Sequence, residues 1–241
     1  MPEEYKDKVV VLLGASSSGT DISLEISKHA KTVYLSHNRD PLPCALPENV
    51  QQVKGIEKVD NTGMVYFMDG EKHQADGIIF CTGYTFSFPF LTESCGVIYS
   101  DFRVELYKHL FNTKFPTMAF VGITNKTCPF PLFHCQTHMI TSVLIGQTVL
   151  PLQEEMEQDI KDDFEWRIKV LGLKPKCAHT MGGLQWRYND DLCEVSKSEK
   201  VKPCVENLYN FVSTRRKNNL MTYKKESYKL TGDNSWEINL Q

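Results

Sequence analysis

The residues best suited to chemistry lie in one short stretch, Gly14-Ala15-Ser16-Ser17-Ser18-Gly19. Gly14 permits a sharp chain reversal at a φ that other residues avoid. The small side chains of Ser16, Ser17 and Ser18 leave backbone N–H groups open to a pyrophosphate, and their hydroxyls can donate to its oxygens. Gly19 allows the elements on either side of the turn to pack closely. Ser36 and Arg39 stand further along the chain. A hydroxyl and a guanidinium at that position suit a 2′-phosphate, the second through a charge-assisted fork.

These residues need elements to hold them. Val9 to Leu13 is an apolar, mostly β-branched run that predicts a buried strand. A helix is expected from Asp21 to Ala30, with Ile22, Ile26 and Ala30 on one stripe. Thr32 to Ser36 reads as a second strand, completing a βαβ unit. Strand, glycine turn and helix together place an anion at the positive end of a helix dipole. A site for NAD carries Asp or Glu at the end of the second strand, to hold the ribose 2′-hydroxyl. Here that end is Leu35-Ser36-His37-Asn38-Arg39, with no carboxylate before Asp40. NADP(H) is therefore preferred over NAD(H).

Two other chemistries fit the sequence less well. A nucleophile elbow, G-x-S-x-G, would make Ser16 the nucleophile, but Ser18 stands where its second glycine belongs. His134 and His138 are i, i+4, with Cys128 and Cys135 nearby, yet neither HExxH nor CxxC accompanies them. They are read as structural side chains, and no metal is expected.

Beyond the βαβ unit, Asp40 to Glu48 is a loop with three prolines. Met64 to Met68 reads as a strand running into an Asp69-Gly70 turn, and Ile78 to Cys81 as another, ending at Thr82-Gly83-Tyr84. A domain boundary is placed there. Further on, two turns of helix are expected over Val104 to Phe111, a buried strand over Thr117 to Ile123, and a helix over Pro131 to Val149. Glu154 to Leu171 is amphipathic, with Met156, Ile160, Phe164, Ile168 and Leu171 on its apolar side. Six basic residues and one acid between Ser213 and Lys229 read as a solvated tail.

Composition narrows the classes. The chain has 241 residues, 41% hydrophobic and 24% charged, with a net charge of −3, which argues against a nucleic-acid binder. MPEEYKDK is not a secretory signal, and Met139 to Leu152 is too short and polar to span a bilayer. Eight cysteines without a CxxC read as reduced thiols of a cytoplasmic protein.

The segments GASSSGTDI, TVYLSHNR, DGIIFCTGYTFSFPFL, LYKHLFNTKFPTMAFVGI and a helix beginning PLFHCQ occur in this order. In that combination the chain resembles the flavin-containing monooxygenases, particularly the insect type, from about Pro2 to about Arg216. The resemblance implies an α/β flavoprotein with two dinucleotide sites. NADPH reduces FAD, the reduced flavin traps O2 as a C4a-hydroperoxide, and one oxygen passes to a small amine or sulfide. By position, Gly14, Ser16, Ser17, Ser18, Gly19, Asp21, Ser36 and Arg39 would serve NADP(H). Thr82, Gly83 and Tyr84 would be the family's T-G-Y element, and Gln136 would approach the flavin. His138 stands where the family often has arginine. Residues 1–84 would form a Rossmann-like NADPH-binding domain, and residues 85–241 the C-terminal part of an FAD-binding domain with a helical tail. The chain has no GxGxxG for FAD, so an incomplete architecture with impaired oxygenation is expected. The other reading is a non-oxygenating NADP(H)-binding module or a reductase-like protein. The resemblance allows a cytoplasmic protein, free or peripheral at the endoplasmic reticulum membrane.

Overall fold

The structure, a computed structural model, describes residues 1–239. The chain divides into two compact units, Met1–Gly83 with Asn207–Gln241, and Tyr84–Glu206.

The first unit is built on a parallel sheet. Strands β1 (Val9–Leu13), β2 (Thr32–Ser36), β3 (Val50–Val53) and β7 (Gly77–Phe80) lie in the order β3-β2-β1-β7. β1 is central, and its residues alternate between two cores. Val10 and Leu12 pack with Val33, Leu35 and Ile26 of helix α1 (Ser17–Ser27), whereas Val11 packs with Tyr34, Val65 and Phe67. Burial on both faces explains why β1 is a continuous apolar run rather than an alternating one. Phe67 and Val65 belong to an antiparallel meander of β4 (Ile56–Val59), β5 (Met64–Phe67) and β6 (Lys72–Gln74), inserted before β7.

Helix α1 starts at Ser17, four residues before the expected start, so two of the turn's serines lie in its first turn. Its buried face is Gly19, Thr20, Ser23 and Ile26. Small residues at 19 and 23 let the helix lie close to the sheet, so its stripe is less apolar than a periodicity search seeks.

The chain after Asn207 is not a solvated tail. The end of α5 (Pro203–Asn218) and a hairpin of β10 (Ser227–Leu230) and β11 (Trp236–Asn239) belong to the first unit. Phe211, Tyr228 and Trp236 stack into one aromatic cluster, with Phe211 and Trp236 centroids 4.6 Å apart. The last stretch of the domain expected over 85–241 groups with residues 1–83.

The second unit is mainly helical. α2 (Pro129–Leu144), α3 (Gln153–Lys169) and α4 (Leu184–Ser196) enclose a core of Tyr107, Leu110, Phe111, Cys135, Met139, Met156 and Leu192. Short strands β8 (Tyr99–Ser100) and β9 (Arg103–Val104) form a small hairpin. Two expectations fail here. Val104 to Phe111 is no helix, because Lys108 and His109 are both left-handed, with φ of 50° and 53°. Thr117 to Ile123 is no strand: it makes a single bridge, Ala119 to Phe111, and Val121 is 47% exposed. α2 also ends at Leu144 rather than near Val149. Among the described residues, no helix is long and apolar enough to cross a membrane.

Candidate dinucleotide site

The turn after β1 sits where the sheet changes direction, with β2 on one side and β7 on the other. Such a switch point, at the carboxyl ends of parallel strands, is where open α/β sheets bind ligands. Gly14 is wedged between both neighbours. Its N–H donates to the Ser36 carbonyl at 2.8 Å, while the Cys81 N–H donates to the Leu13 carbonyl at 2.8 Å. Gly14 has φ of +112°, and a Cβ there would lie 2.4 Å from the Cys81 carbonyl oxygen. At Gly19 a Cβ would lie 1.7 Å from the Gly14 carbonyl oxygen. Both glycines are demanded by backbone packing.

Ser16, Ser17 and Ser18 are exposed at the head of α1. Ser16 is the N-cap residue, yet its hydroxyl caps nothing, and the first turn holds no acidic residue. The first N–H groups of the helix are therefore uncapped, with three hydroxyls around them. That is the donor set a pyrophosphate requires. Thr20 Oγ1 is turned inward, donating to the carbonyls of Ser16 and Ser17.

At the end of β2 the roles divide differently from expectation. Ser36 is fully buried, and its hydroxyl donates to the Lys54 carbonyl at 2.8 Å. It ties β2 to the next segment, and its hydroxyl is engaged inside the unit. Arg39 is exposed, with no hydrogen bond or ion pair among the described residues. His37, two positions before it, is 8% exposed; Nε2 meets Gln52 Oε1 at 3.0 Å, and Nδ1 has no partner. An orphaned buried nitrogen beside an unpaired guanidinium fits a site that a polar ligand completes.

Thr82 and Gly83 are exposed just beyond β7, adjoining Gly14 through Cys81. The division between the units falls between Gly83 and Tyr84, and Tyr84 is 92% exposed. Gln136, in α2, is fully buried in the second unit. Its Oε1 accepts from the Gly122 N–H at 3.0 Å, and its Nε2 donates to Tyr188 Oη, also at 3.0 Å. Tyr188 in turn donates to the Lys108 carbonyl at 2.8 Å. Both ends of the Gln136 amide are occupied inside the unit, where it braces the Gly122 loop.

The sequence reading missed a buried polar network in the second unit. Val104 N–H donates to His179 Nε2 at 2.9 Å, so that nitrogen carries no proton. His179 Nδ1 lies 3.0 Å from His109 Nδ1, and His109 Nε2 lies 3.3 Å from Asp163 Oδ2 and 3.1 Å from Arg167 Nη2. Arg167 Nε donates to the same carboxylate oxygen at 2.7 Å, and Nη1 donates to the Thr180 carbonyl at 2.8 Å. These residues are spread over seventy positions, and no local motif signals them. They line one wall of a cavity of about 420 Å³, with Phe164 and Ile160 opposite in chemistry.

Burial works against the charge on Asp163, but hydrogen bonding and charge from His109, then Arg167, hold its carboxyl below the ordinary range. For His179 the effects reinforce. Burial, followed by the charges of His109, Arg167 and Arg103, depresses its pKa from 6.5 to about 3. Below about pH 6.5 the unfolded chain gains a proton there that the folded chain refuses. Stability is therefore expected to fall as pH drops from about 6.5 toward about 3, by roughly 1.4 kcal/mol per pH unit. Denaturant titrations at several pH values check this, and His179→Gln should flatten the slope relative to wild type. An unchanged slope would remove His179 as its source.

His134 and His138 are exposed on α2 with ring centroids 4.4 Å apart, and the described residues contain no group of three metal-ligating side chains. All eight cysteines are unpaired.

Comparison with known proteins connects the two units. A family model described as flavin-binding monooxygenase-like matches residues 38–238. Flavin-containing monooxygenase FMO GS-OX-like 4 of Arabidopsis thaliana is 33% identical over 232 residues, spanning 94% of this chain and 51% of that protein. FMO GS-OX-like 8 of the same plant is 36% identical over 198 residues, spanning 79% of this chain and 42% of the relative. The solved structure of S-allyl-L-cysteine S-oxygenase from Allium sativum superposes with a TM-score of 0.86 at 34% identity, covering 94% of this chain and 53% of that one. Tmm from Pelagibacter sp. strain HTCC7211 shares the fold, with a TM-score of 0.80 at 23% identity. The chain thus spans about half the length of the relatives it matches. The α/β fold, a parallel sheet with a glycine turn leading to an uncapped helix, and a family match extending across both units lead to one assignment: the chain belongs to the flavin-containing monooxygenase family.

Proposed function

We propose that this chain supplies the NADP(H)-binding turn of a flavin-dependent monooxygenase acting with O2 on a small sulfide or amine. The family uses FAD and NADPH. The observation that carries the reading is the uncapped head of α1, with three exposed serines, directly after β1. In a family that uses NADPH, such a donor set matches the cofactor's pyrophosphate. When bound, NADPH supplies the hydride that reduces the flavin.

Within this chain, Gly14 and Gly19 hold β1 and α1 close enough for the free N–H groups of the first helical turn to converge on the pyrophosphate. Ser16, Ser17 and Ser18 add hydroxyl donors, and Arg39 pairs with the 2′-phosphate, with His37 beside it. Thr82 and Gly83, beyond β7, close the other side of the turn. The residues present do not fit FAD in the same way: among the described residues this is the one strand–glycine–helix turn, and the Gln136 amide is internally bonded. A sulfide is favoured over an amine by the S-oxygenation for which the Allium relative is named. The unpaired cysteines support a reducing, cytoplasmic setting.

Calorimetric titration of the purified 241-residue chain tests this reading. Saturable binding of NADPH with little retained FAD is expected. Arg39→Ala should weaken NADPH by about tenfold or more and leave NADH nearly unchanged, since a fork to a dianionic phosphate contributes roughly 1.5–3 kcal/mol. No NADPH binding by wild type would overturn the reading, and equal losses for both nucleotides would remove Arg39 from the 2′-phosphate.

A further inference from the structure

We infer that Arg216 and Lys224, about two hundred positions after the glycine turn, form a cationic clamp over the cofactor's pyrophosphate. The inference rests on the NADP(H) reading above and extends it to a segment that no motif implicates.

Both residues belong to the first unit and meet at the head of α1. Arg216 Nη1 donates to Ser17 Oγ at 3.0 Å. Its Nη2 lies 3.5 Å from the Ser17 carbonyl oxygen, 3.3 Å from Thr20 Oγ1 and 3.5 Å from Asp21 Oδ1. Lys224 Nζ lies 3.2 Å from Asp21 Oδ2. Tyr223 backs the pair, 5.8 Å from the guanidinium and 6.0 Å from the ammonium.

Two cations, Arg216 and Lys224, meet at Asp21, with Glu25 the next acid to feel Lys224, near the end of a helix that itself presents about half a positive charge. No acid lies in the first turn, and no side chain caps it. A cation ordinarily stabilises the opposite end of a helix, so Arg216 over Ser17 faces like charge. An anion seated on the first turn converts that repulsion into attraction from three sides: the helix N–H groups, Arg216 and Lys224.

A purely structural tie between α5 and α1 accounts less well for the geometry. Three of the four Arg216 contacts are 3.3 Å or longer, and its side chain is 31% exposed, where such pairs contribute little. Arg215, its neighbour, shows what a tie in this segment looks like. It pairs closely with Glu226, which also accepts from Tyr228 Oη. The segment thus locks one arginine into its own fold and leaves the next, with Lys224, over the turn.

A pyrophosphate clamp has a signature different from that of Arg39. NADPH and NADH share the pyrophosphate, so Arg216→Ala should weaken both, each by about tenfold or more. Lys224→Ala should weaken both by a smaller factor. Inorganic pyrophosphate should raise the melting temperature of the wild-type chain and fail to raise that of the Arg216→Ala/Lys224→Ala double variant. Calorimetry on the full chain, with melting curves of each unliganded variant, reads all three. Unchanged affinity of the double variant for NADPH overturns the clamp and leaves the turn reading standing. Wild-type chain silent toward both nucleotides overturns the turn reading, and the clamp with it. Should Arg216→Ala melt well below wild type without ligand, Lys224→Ala decides, and unchanged NADPH affinity there overturns the clamp.

Discussion

Gly19→Ala is expected to destabilise the first unit by on the order of 4 kcal/mol or more, beyond the ordinary range for a point substitution. The added Cβ would stand 1.7 Å from the Gly14 carbonyl oxygen and 3.5 Å from the Cys81 Cβ. The obstacle is backbone, so no side-chain rotation relieves it. Either α1 lifts off β1, opening the core around Val10, Leu12 and Ile26, or the turn at Gly14 is rebuilt. NADPH binding should be lost with it, because the helix head can no longer lie at the end of β1. Gly70→Ala provides the scale. Gly70, unlike Gly19, has a positive φ, +90°, but a Cβ there meets nothing within 4 Å. That variant should lose only about 1–2 kcal/mol, the conformational cost alone. Thermal and denaturant melts of both variants check the ranking, and equal losses would show that packing at Gly19 is not decisive.

Arg167→Met is expected to cost the second unit about 1–3 kcal/mol: the guanidinium is buried, but its partner Asp163 is 33% exposed, so water offsets part of the lost pair. The Arg167 side chain is 5% exposed and makes bonds to Asp163 and the Thr180 carbonyl. Without it Asp163 keeps His109 as its one remaining partner in the pair network, and the Thr180 carbonyl loses its donor. Arg167→Lys should rescue little, because one ammonium cannot reach both oxygens as the guanidinium fork does. Combining Arg167→Met with Asp163→Asn should recover part of the loss, since the orphaned charge goes too. Trp166 and Trp186 lie in this unit and Trp236 in the other, so fluorescence of single-tryptophan variants follows each unit separately. A loss below about 1 kcal/mol would place the network among contacts of surface strength.

β1 and β2 are legible in the sequence because both of their faces are buried, so each is spelled as an apolar run. Val9–Leu13 and Thr32–Ser36 stand where the runs stand. The start of α1 differs from expectation for a physical reason: its first residues are exposed serines, which carry no apolar periodicity and are poor helix formers in isolation. Thr117 to Ile123 misled in the opposite direction. It is apolar, but no partner strand runs beside it, and an apolar run without a ladder becomes a packed loop. The polar network of the second unit was invisible because its members come from four separate stretches and are joined only by folding. Arg216 and Lys224 read as solvated because basic clusters in polar stretches usually are; the partner that holds them, Asp21, stands some two hundred residues earlier.

Arg216 and Lys224 tie the segment beyond Asn207 to the head of α1, and the aromatic cluster of Phe211, Tyr228 and Trp236 holds that segment together. Arg216 and Ser17 stand 199 positions apart, so closing their contact costs loop entropy that the local packing of β1 with α1 does not. The first unit is therefore completed by its most distant segment, a non-local step that sets the pace of its folding.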